Sequence, residues 1–348
     1  MNENTWDVII IGGGAAGLNA ALVLTRARRS VLVVDAGAPR NRFAAHMHGF
    51  LTRDGFSPLE LLELGREEVR GYGGEFLAGR AVAATGAAGA FEVTVEVDPA
   101  SATLAATEGS PATTTAVDPT PTRTLTARRL VVASGLRDEL PGIPGLAEQW
   151  GRGAVACPYC DGWEARDVRI GVLATGAMSV HQASLVRQWS DDVTFLGPLT
   201  ADLEPDVREG LEARGVRIVE TAVTGVLTDD GDTSGTLTGV TLDDGSTLEL
   251  DRLFVGPRLV AHDDLLRQLG AATATGPMGE WTSSDFTGLT SVPGVWVAGN
   301  SANAGALVVV AAGMGAMAAA AINADLVGDD TRAAVAAARA ARSPVSPD

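Results

Sequence analysis

The stretch "DVIIIGGGAAGLNAALVLTRARRSVLVVDAG" (7–37) restricts the possible folds more than any other part of the chain. Its apolar run Ile9–Ile11 reads as a strand buried on both faces, and Val31–Val34 repeats that pattern after a helical segment. Between them stands Gly12-x-Gly14-x-x-Gly17. Gly12 permits a tight turn, Gly14 lets backbone amides approach a pyrophosphate, and Gly17 allows close packing of helix on strand. The phosphates then rest on the helix N-terminus. Asp35 ends the second strand, 18 residues after Gly17, where a carboxylate can accept both ribose hydroxyls. A glycine motif alone is a weak signal. With strand, helix and acid in register, it predicts a dinucleotide-binding βαβ unit.

A second βαβ pattern follows at "VRIGVLATGAMSVHQASLVRQWSDDVTFLG" (168–197), with a damaged fingerprint. Ala174, Gly176 and Ser179 take the three glycine positions, and Ala174 carries a Cβ where the turn is tightest. Beyond its second strand there is no ribose acid and no arginine cluster for a 2′-phosphate; the first arginine is Arg208. A working nicotinamide site and a vestigial fold kept for another purpose are both open, and the vestigial reading fits better. The rest of the chain organises around these units. Residues 58–71 are rich in helix formers and 73–97 alternate like a small antiparallel sheet. An Ala/Thr/Pro insertion occupies 98–123, and "RRLVVASGL" (128–136) returns to the first sheet. "PGIPG" (141–145) is a turn-dense hinge, and "GVWVAGN" leads into the last helix. The expected domains are 1–138 as the first segment of one nucleotide domain, 139–256 as an inserted second domain, 257–328 as the closing segment of the first, and 329–348 as a loose tail.

Charge limits the partners. The net charge of −17 argues against nucleic acid and anionic membranes, since phosphate contacts need clustered Lys and Arg, and the chain has no Lys at all. The run 306–327 is long enough to span a membrane, but its Gly and Ala content and its Asn/Asp finish suit a buried helix better. The N-terminus is polar and enters a strand directly, so no signal peptide is expected, and a cytoplasmic location follows.

Cys157 and Cys160, in "ACPYCDGW", are the only cysteines. Zinc would need further ligands that a chain with four His and no third Cys does not readily supply, so no metal is expected. A static disulfide across two residues would constrain almost no loop entropy. A redox dithiol fits the spacing, because one thiolate can be stabilised while the other resolves it. Asp161 is placed either to move protons for the thiols or to serve as a helix cap or turn residue. His46 and His48, just past the Asp35 strand, would point the same way in extended chain, which suits either a proton-handling pair or an ordinary loop.

Over residues 6–327 this order of elements resembles the low-molecular-weight thioredoxin reductase family. The resemblance is carried by "IIIGGGAAGLNAAL", "VVASG", "CPYCDG" within the second unit, and "GVWVAGN". It implies an α/β fold of two Rossmann-like dinucleotide-binding domains, each a three-layer ββα arrangement. It also implies FAD, bound by Gly12, Gly14, Ala15, Ala16, Gly17, Asp35, Ala36, Arg42, Gly135, Gly299, Asn300, Leu307 and Val308. Asn300 stands where the family has Asp, and Leu307 where it usually has Gln. A homodimer and a redox-active Cys157–Cys160 disulfide are implied as well, with Cys160 next to the flavin. Within the family, "PRNRFAAHMHGFLTRDGFSP", "CPYCDGWE" and "SVHQASLVRQWSDDVTF" look closest to the gliotoxin, holomycin and romidepsin dithiol oxidases. That branch implies an FAD enzyme closing a disulfide in a small-molecule dithiol, with O2 as acceptor and Asp161, His46 and His48 as candidate bases. The alternatives are an NAD(P)H-dependent reductase of a thioredoxin-like protein and a non-catalytic flavin redox sensor.

Overall fold

The computed structural model describes residues 4–98, 121–231, 235–276 and 278–342. The Ala/Thr/Pro insertion therefore lies almost entirely outside the described residues. The chain divides into two compact units. Met1–Pro39, Glu60–Leu136 and Ala261–Asp348 make the first; Arg40–Leu59 and Arg137–Val260 make the second. This corrects the expected boundaries, because the excursion 40–59 belongs with the second unit. Its attachments explain why. Arg40 makes a bidentate pair with Asp138, at 3.0 and 2.7 Å, and Phe43 packs so closely on Gly151 that an added Cβ would lie 2.6 Å from the Phe43 Cβ.

In the first unit, β1 (Thr5–Ile11), α1 (Ala15–Arg26) and β2 (Val31–Asp35) form the expected βαβ start. β1 lies parallel to both β2 and the strand Thr122–Val132, and Glu75–Ala78 and Val295–Val297 extend the parallel sheet at its two edges. The strands Glu75–Ala87 and Thr122–Val132 are long enough to serve two layers. Beyond their parallel portions both pair antiparallel with Ala90–Val97. Strand alternation then separates two cores. Ile9, Ile11, Leu32, Val34, Leu130 and Val132 face the antiparallel layer through Phe91, Val93 and Leu125. Val8, Ile10, Val31, Val33 and Val131 face the helices, meeting Ala20, Ala21 and Leu24 of α1 and Ala318, Ala319 and Ile322 of the C-terminal helix.

That last helix runs Val308–Arg342, so the expected tail is helical as far as residue 342, with residues 330–342 exposed. Its length and composition would allow it to cross a membrane, yet Ala311, Ala318, Ala319, Ile322 and Leu326 are packed into the unit's core. Beyond these it is held by charge. The buried Arg129 bonds Asp325 and Asp329, while Arg128 and Arg29 share Asp330.

The second unit repeats the plan. Five parallel strands lie in the order Arg217–Val219, Val193–Leu196, Ile170–Leu173, Arg252–Val255, Ala154–Val155. The helix Ala177–Val186 connects Ile170–Leu173 to Val193–Leu196, as α1 connects β1 to β2. Val223–Thr228, Leu237–Leu242 and Thr247–Glu249 add an antiparallel layer. Each unit is thus a three-layer Rossmann-type fold.

Candidate active site

The first glycine turn has the shape a dinucleotide requires. Gly12 has φ +105°, and a Cβ there would sit 2.3 Å from the Ala133 carbonyl oxygen; at Gly17 it would sit 1.9 Å from that of Gly12. Gly14 faces open space, with nothing within 4 Å of an added Cβ, so the turn is closed on the protein side and clear on the side a diphosphate would take. The Asp35 carboxylate accepts the Gly13 amide at 3.1 Å and Arg66 at 3.1 Å. Arg66 lies on the helix Pro58–Gly71, and no sequence spacing pointed to it.

The other proposed cofactor residues divide between the units. Ala15 and Ala16 open α1, and Ala16 is buried against Gly299, which has φ +69°. Gly135, with φ +73°, donates its amide to Ser301 Oγ at 2.7 Å. Asn300 Nδ2 faces three carbonyl oxygens, of Asn303, Ala304 and Ala306, at 3.0–3.1 Å. A carboxylate could not donate to any of them, so asparagine at this position suits the loop it closes. Leu307 immediately precedes the C-terminal helix and Val308 starts it, with the Ala311 amide bonded to the Leu307 carbonyl. Ala36 is exposed just beyond β2. Arg42 belongs to the second unit, where its guanidinium lies over the Phe43 ring at 4.1 Å, so it is not grouped with the glycine turn.

The second turn is built differently. Ser179 is buried, and its Oγ accepts the Thr175 amide at 3.0 Å. Thr175 Oγ1 lies 3.1 Å from that same Oγ and 2.7 Å from the Gly256 carbonyl oxygen. Ser179, at the position of Gly17, thus ties this turn to its own helix, while Gly176, at the position of Gly14, has nothing within 4 Å of an added Cβ. At the end of Val193–Leu196, where Asp35 stands in the first unit, comes Gly197, with φ +119° and its amide on the Val219 carbonyl. Arg208 is paired with Glu220 at 2.7 Å and bonded to the Thr200 carbonyl.

Cys157 is the N-cap of the one-turn helix Pro158–Asp161, and its carbonyl receives the Cys160 and Asp161 amides, both at 3.0 Å. The loop sits on an aromatic floor. Trp189 packs on Gly162 so tightly that a Cβ there would be 2.7 Å from the ring, and Tyr159 meets Trp189 edge-on at 6.4 Å. A hydrogen bond from Cys160 and the amides of Cys160 and Tyr159 draw the Cys157 thiol down to about 7, against the opposing effect of burial. Cys160 moves the other way: it is held protonated by its bond to Cys157, by burial and by the nearby negative charge. Burial lifts the Asp161 carboxyl to about 6; Glu164 adds to the rise, while Arg252 and His48 oppose it. Asp161 ends the short helix, so it is not the cap of the turn.

Of the two histidines, the structure brings only His48 to this cluster. Its Nδ1 lies 3.3 Å from Asp54 Oδ2 and its Nε2 3.5 Å from Glu164 Oε1. His46 is exposed and lies outside that network; the chain between them forms a bridge from the buried Met47 to Phe56. Sequence reasoning missed Asp54, Glu164 and Trp189, whose only signal is proximity in space.

The chain is similar to known proteins along most of its length. The model of the pyridine nucleotide-disulphide oxidoreductase family matches residues 6–315. Thioredoxin reductase sirT of Leptosphaeria maculans is 30% identical over 339 residues, covering 94% of this chain and 96% of that protein. Among solved structures, HlmI is 44% identical with a TM-score of 0.84, covering 99% of both chains. An oxidoreductase from Agrobacterium tumefaciens is 37% identical with a TM-score of 0.78, covering 93% of this chain and 99% of its own. The fold is thioredoxin reductase-like, with two Rossmann-type domains, and FAD is the cofactor. The chain belongs to the pyridine nucleotide-disulphide oxidoreductase family, as a thioredoxin reductase-like, FAD-dependent disulfide oxidoreductase.

Proposed function

We propose that this protein oxidises a small-molecule dithiol to its disulfide through Cys157 and Cys160, with O2 as the final electron acceptor and no need for NAD(P)H. The observation that carries this reading is the second nucleotide unit's lack of an acid at the end of its second strand, where Gly197 stands in the position that Asp35 takes in the first unit. The resemblance to the dithiol oxidase branch supports the same direction of electron flow. Net conversion is dithiol plus O2 to disulfide plus hydrogen peroxide, a two-electron, two-proton transfer.

The residues of the site fit the steps. A substrate thiolate attacks the Cys157–Cys160 disulfide, forming one S–S bond and breaking another. The second substrate thiolate attacks the mixed disulfide, closes the product ring and expels the enzyme thiolate. Two electrons are then held by the pair, with Cys157 as the favoured thiolate and Cys160 keeping its proton. Asp161, ionised for the most part at neutral pH but poised near 6, is the base we assign to take the proton from the incoming thiol and from Cys160. FAD, when bound, supplies the two-electron acceptor that returns the pair to the disulfide. Gly12, Gly14, Gly17, Asp35, Gly135, Gly299, Asn300, Leu307 and Val308 would hold it.

Anaerobic stopped-flow mixing of the oxidised holoprotein with NADPH, NADH or a small dithiol tests the proposal by flavin bleaching. The dithiol should bleach it and neither nicotinamide should; rapid bleaching by NADPH would refute the oxidase reading. Serine at both 157 and 160 should abolish dithiol oxidation while leaving FAD bound.

A further inference from the structure

Gln182 lies on the helix Ala177–Val186, below the reacting loop, and is only 7% exposed. Its Nε2 donates to the carbonyl of Ala156, the residue before Cys157, at 2.7 Å. Its Oε1 is buried with no hydrogen-bond partner. An apolar side chain of similar length would fill the same space without stranding an oxygen there. Packing alone therefore does not explain a glutamine at this position; its donor does.

The Ala156 carbonyl belongs to the peptide that enters the turn. Cys157 follows with extended backbone, φ −107° and ψ 112°, and the amides of Tyr159 and Cys160 are then turned back toward the Cys157 sulfur. Fixing the Ala156–Cys157 peptide plane fixes the direction from which those amides approach. We infer that Gln182 is a positioning residue for the redox pair: its amide N–H holds the Ala156 carbonyl so that the turn keeps its backbone donors on Cys157. This inference rests on Cys157 and Cys160 being the reacting pair, but not on the substrate or on the direction of electron flow.

Other groups also act on the Cys157 environment. Cys160 and Asp161 share its turn, Glu164 follows it, His48 and Arg40 come from the excursion 40–59, and Arg252 comes from the neighbouring strand. None of these is bonded to Gln182, so a substitution there leaves the charges in place and alters only the hold on the backbone.

The test uses the full-length, FAD-loaded protein after reduction. Iodoacetamide alkylation of Cys157 is followed against pH, with the modified peptide identified by mass. The wild type should show an inflection near pH 7 (about 7 for this thiol). In Gln182→Met, which keeps the length and removes the donor, the inflection should rise by at least about half a pH unit. The thermal midpoint should move little, because the stranded oxygen is lost together with the hydrogen bond. If the inflection stays where it was, the inference is overturned, whatever happens to the midpoint. Should Gln182→Met not accumulate as folded holoprotein, Gln182→Leu decides by the same criterion, since it too removes the donor and brings no charge. The readout needs no substrate, oxygen or nicotinamide, so failure of the oxidase reading leaves it intact and its own failure leaves that reading intact.

Discussion

Asp161 is the residue whose environment has the most measurable consequence. Its carboxyl stands near 6, chiefly because burial withholds water from the charged form. The folded value is above the ordinary 3.8, so the native state binds this proton more tightly than the unfolded chain does. Stability from this group is therefore fully present below the unfolded value and is lost as pH rises through about 6. Replacing it with neutral Asn should stabilise the reduced protein by about 2–3 kcal/mol near pH 8 and by only about 0.5 kcal/mol near pH 4, measured by urea unfolding at both. On the oxidase reading turnover should fall at the same time, because Asp161 is the assigned proton acceptor. Gly17 gives a second residue-scale prediction. An alanine Cβ 1.9 Å from the Gly12 carbonyl oxygen forces the turn open, so Gly17→Ala should be purified with little or no flavin, read from the flavin-to-protein absorbance ratio. Residues such as Gly17 and Asp35 were legible in the sequence because strand, turn and acid lie within one local unit. Arg66, Glu164 and Gln182 were not, since each acts across a distance that only the fold closes. The His46/His48 pair shows the limit in another way: the spacing was seen, but only one ring reaches the cysteine loop.

At the scale of the elements, the C-terminal helix was readable from composition but its far end was not. The Ala/Arg segment at that end is helical but exposed, and the helix is held at Asp325, Asp329 and Asp330 by Arg129, Arg128 and Arg29. Arg129 is almost wholly buried while its partners are partly wet, so Arg129→Met should cost about 2–4 kcal/mol, seen as a lower urea midpoint. The turn before the helix Ala177–Val186 makes the opposite point, because its damaged glycine pattern could be read directly. Restoring glycine at both 174 and 179 should not create NADPH-dependent flavin reduction, since Gly197 still stands where an acid would bind the ribose. Appearance of rapid NADPH bleaching in that double variant would show that the turn alone had blocked the site. The excursion 40–59 was misassigned for a physical reason as well. It follows β2 in sequence, but its ion pair to Asp138 and its packing on Gly151 bind it to the other unit.

For the whole molecule, the net charge of −17 gives a way to separate substrate classes. A neutral small dithiol is not steered by that field, so its kcat/KM should change less than about twofold between about 0.02 and 0.5 M salt. A charged protein partner would show a steep dependence over the same range. The repeated architecture has a further consequence. Two nucleotide-type units came with the fold, and in the second one Gly197 stands where the first has Asp35. On the oxidase reading, this acts as insulation. In a cell whose nicotinamide pool is strongly reducing, a flavin that could draw on that pool would sit reduced and could not accept electrons from a thiol. A glycine where the ribose acid would stand would then decouple an oxidative step from the reducing solution around it.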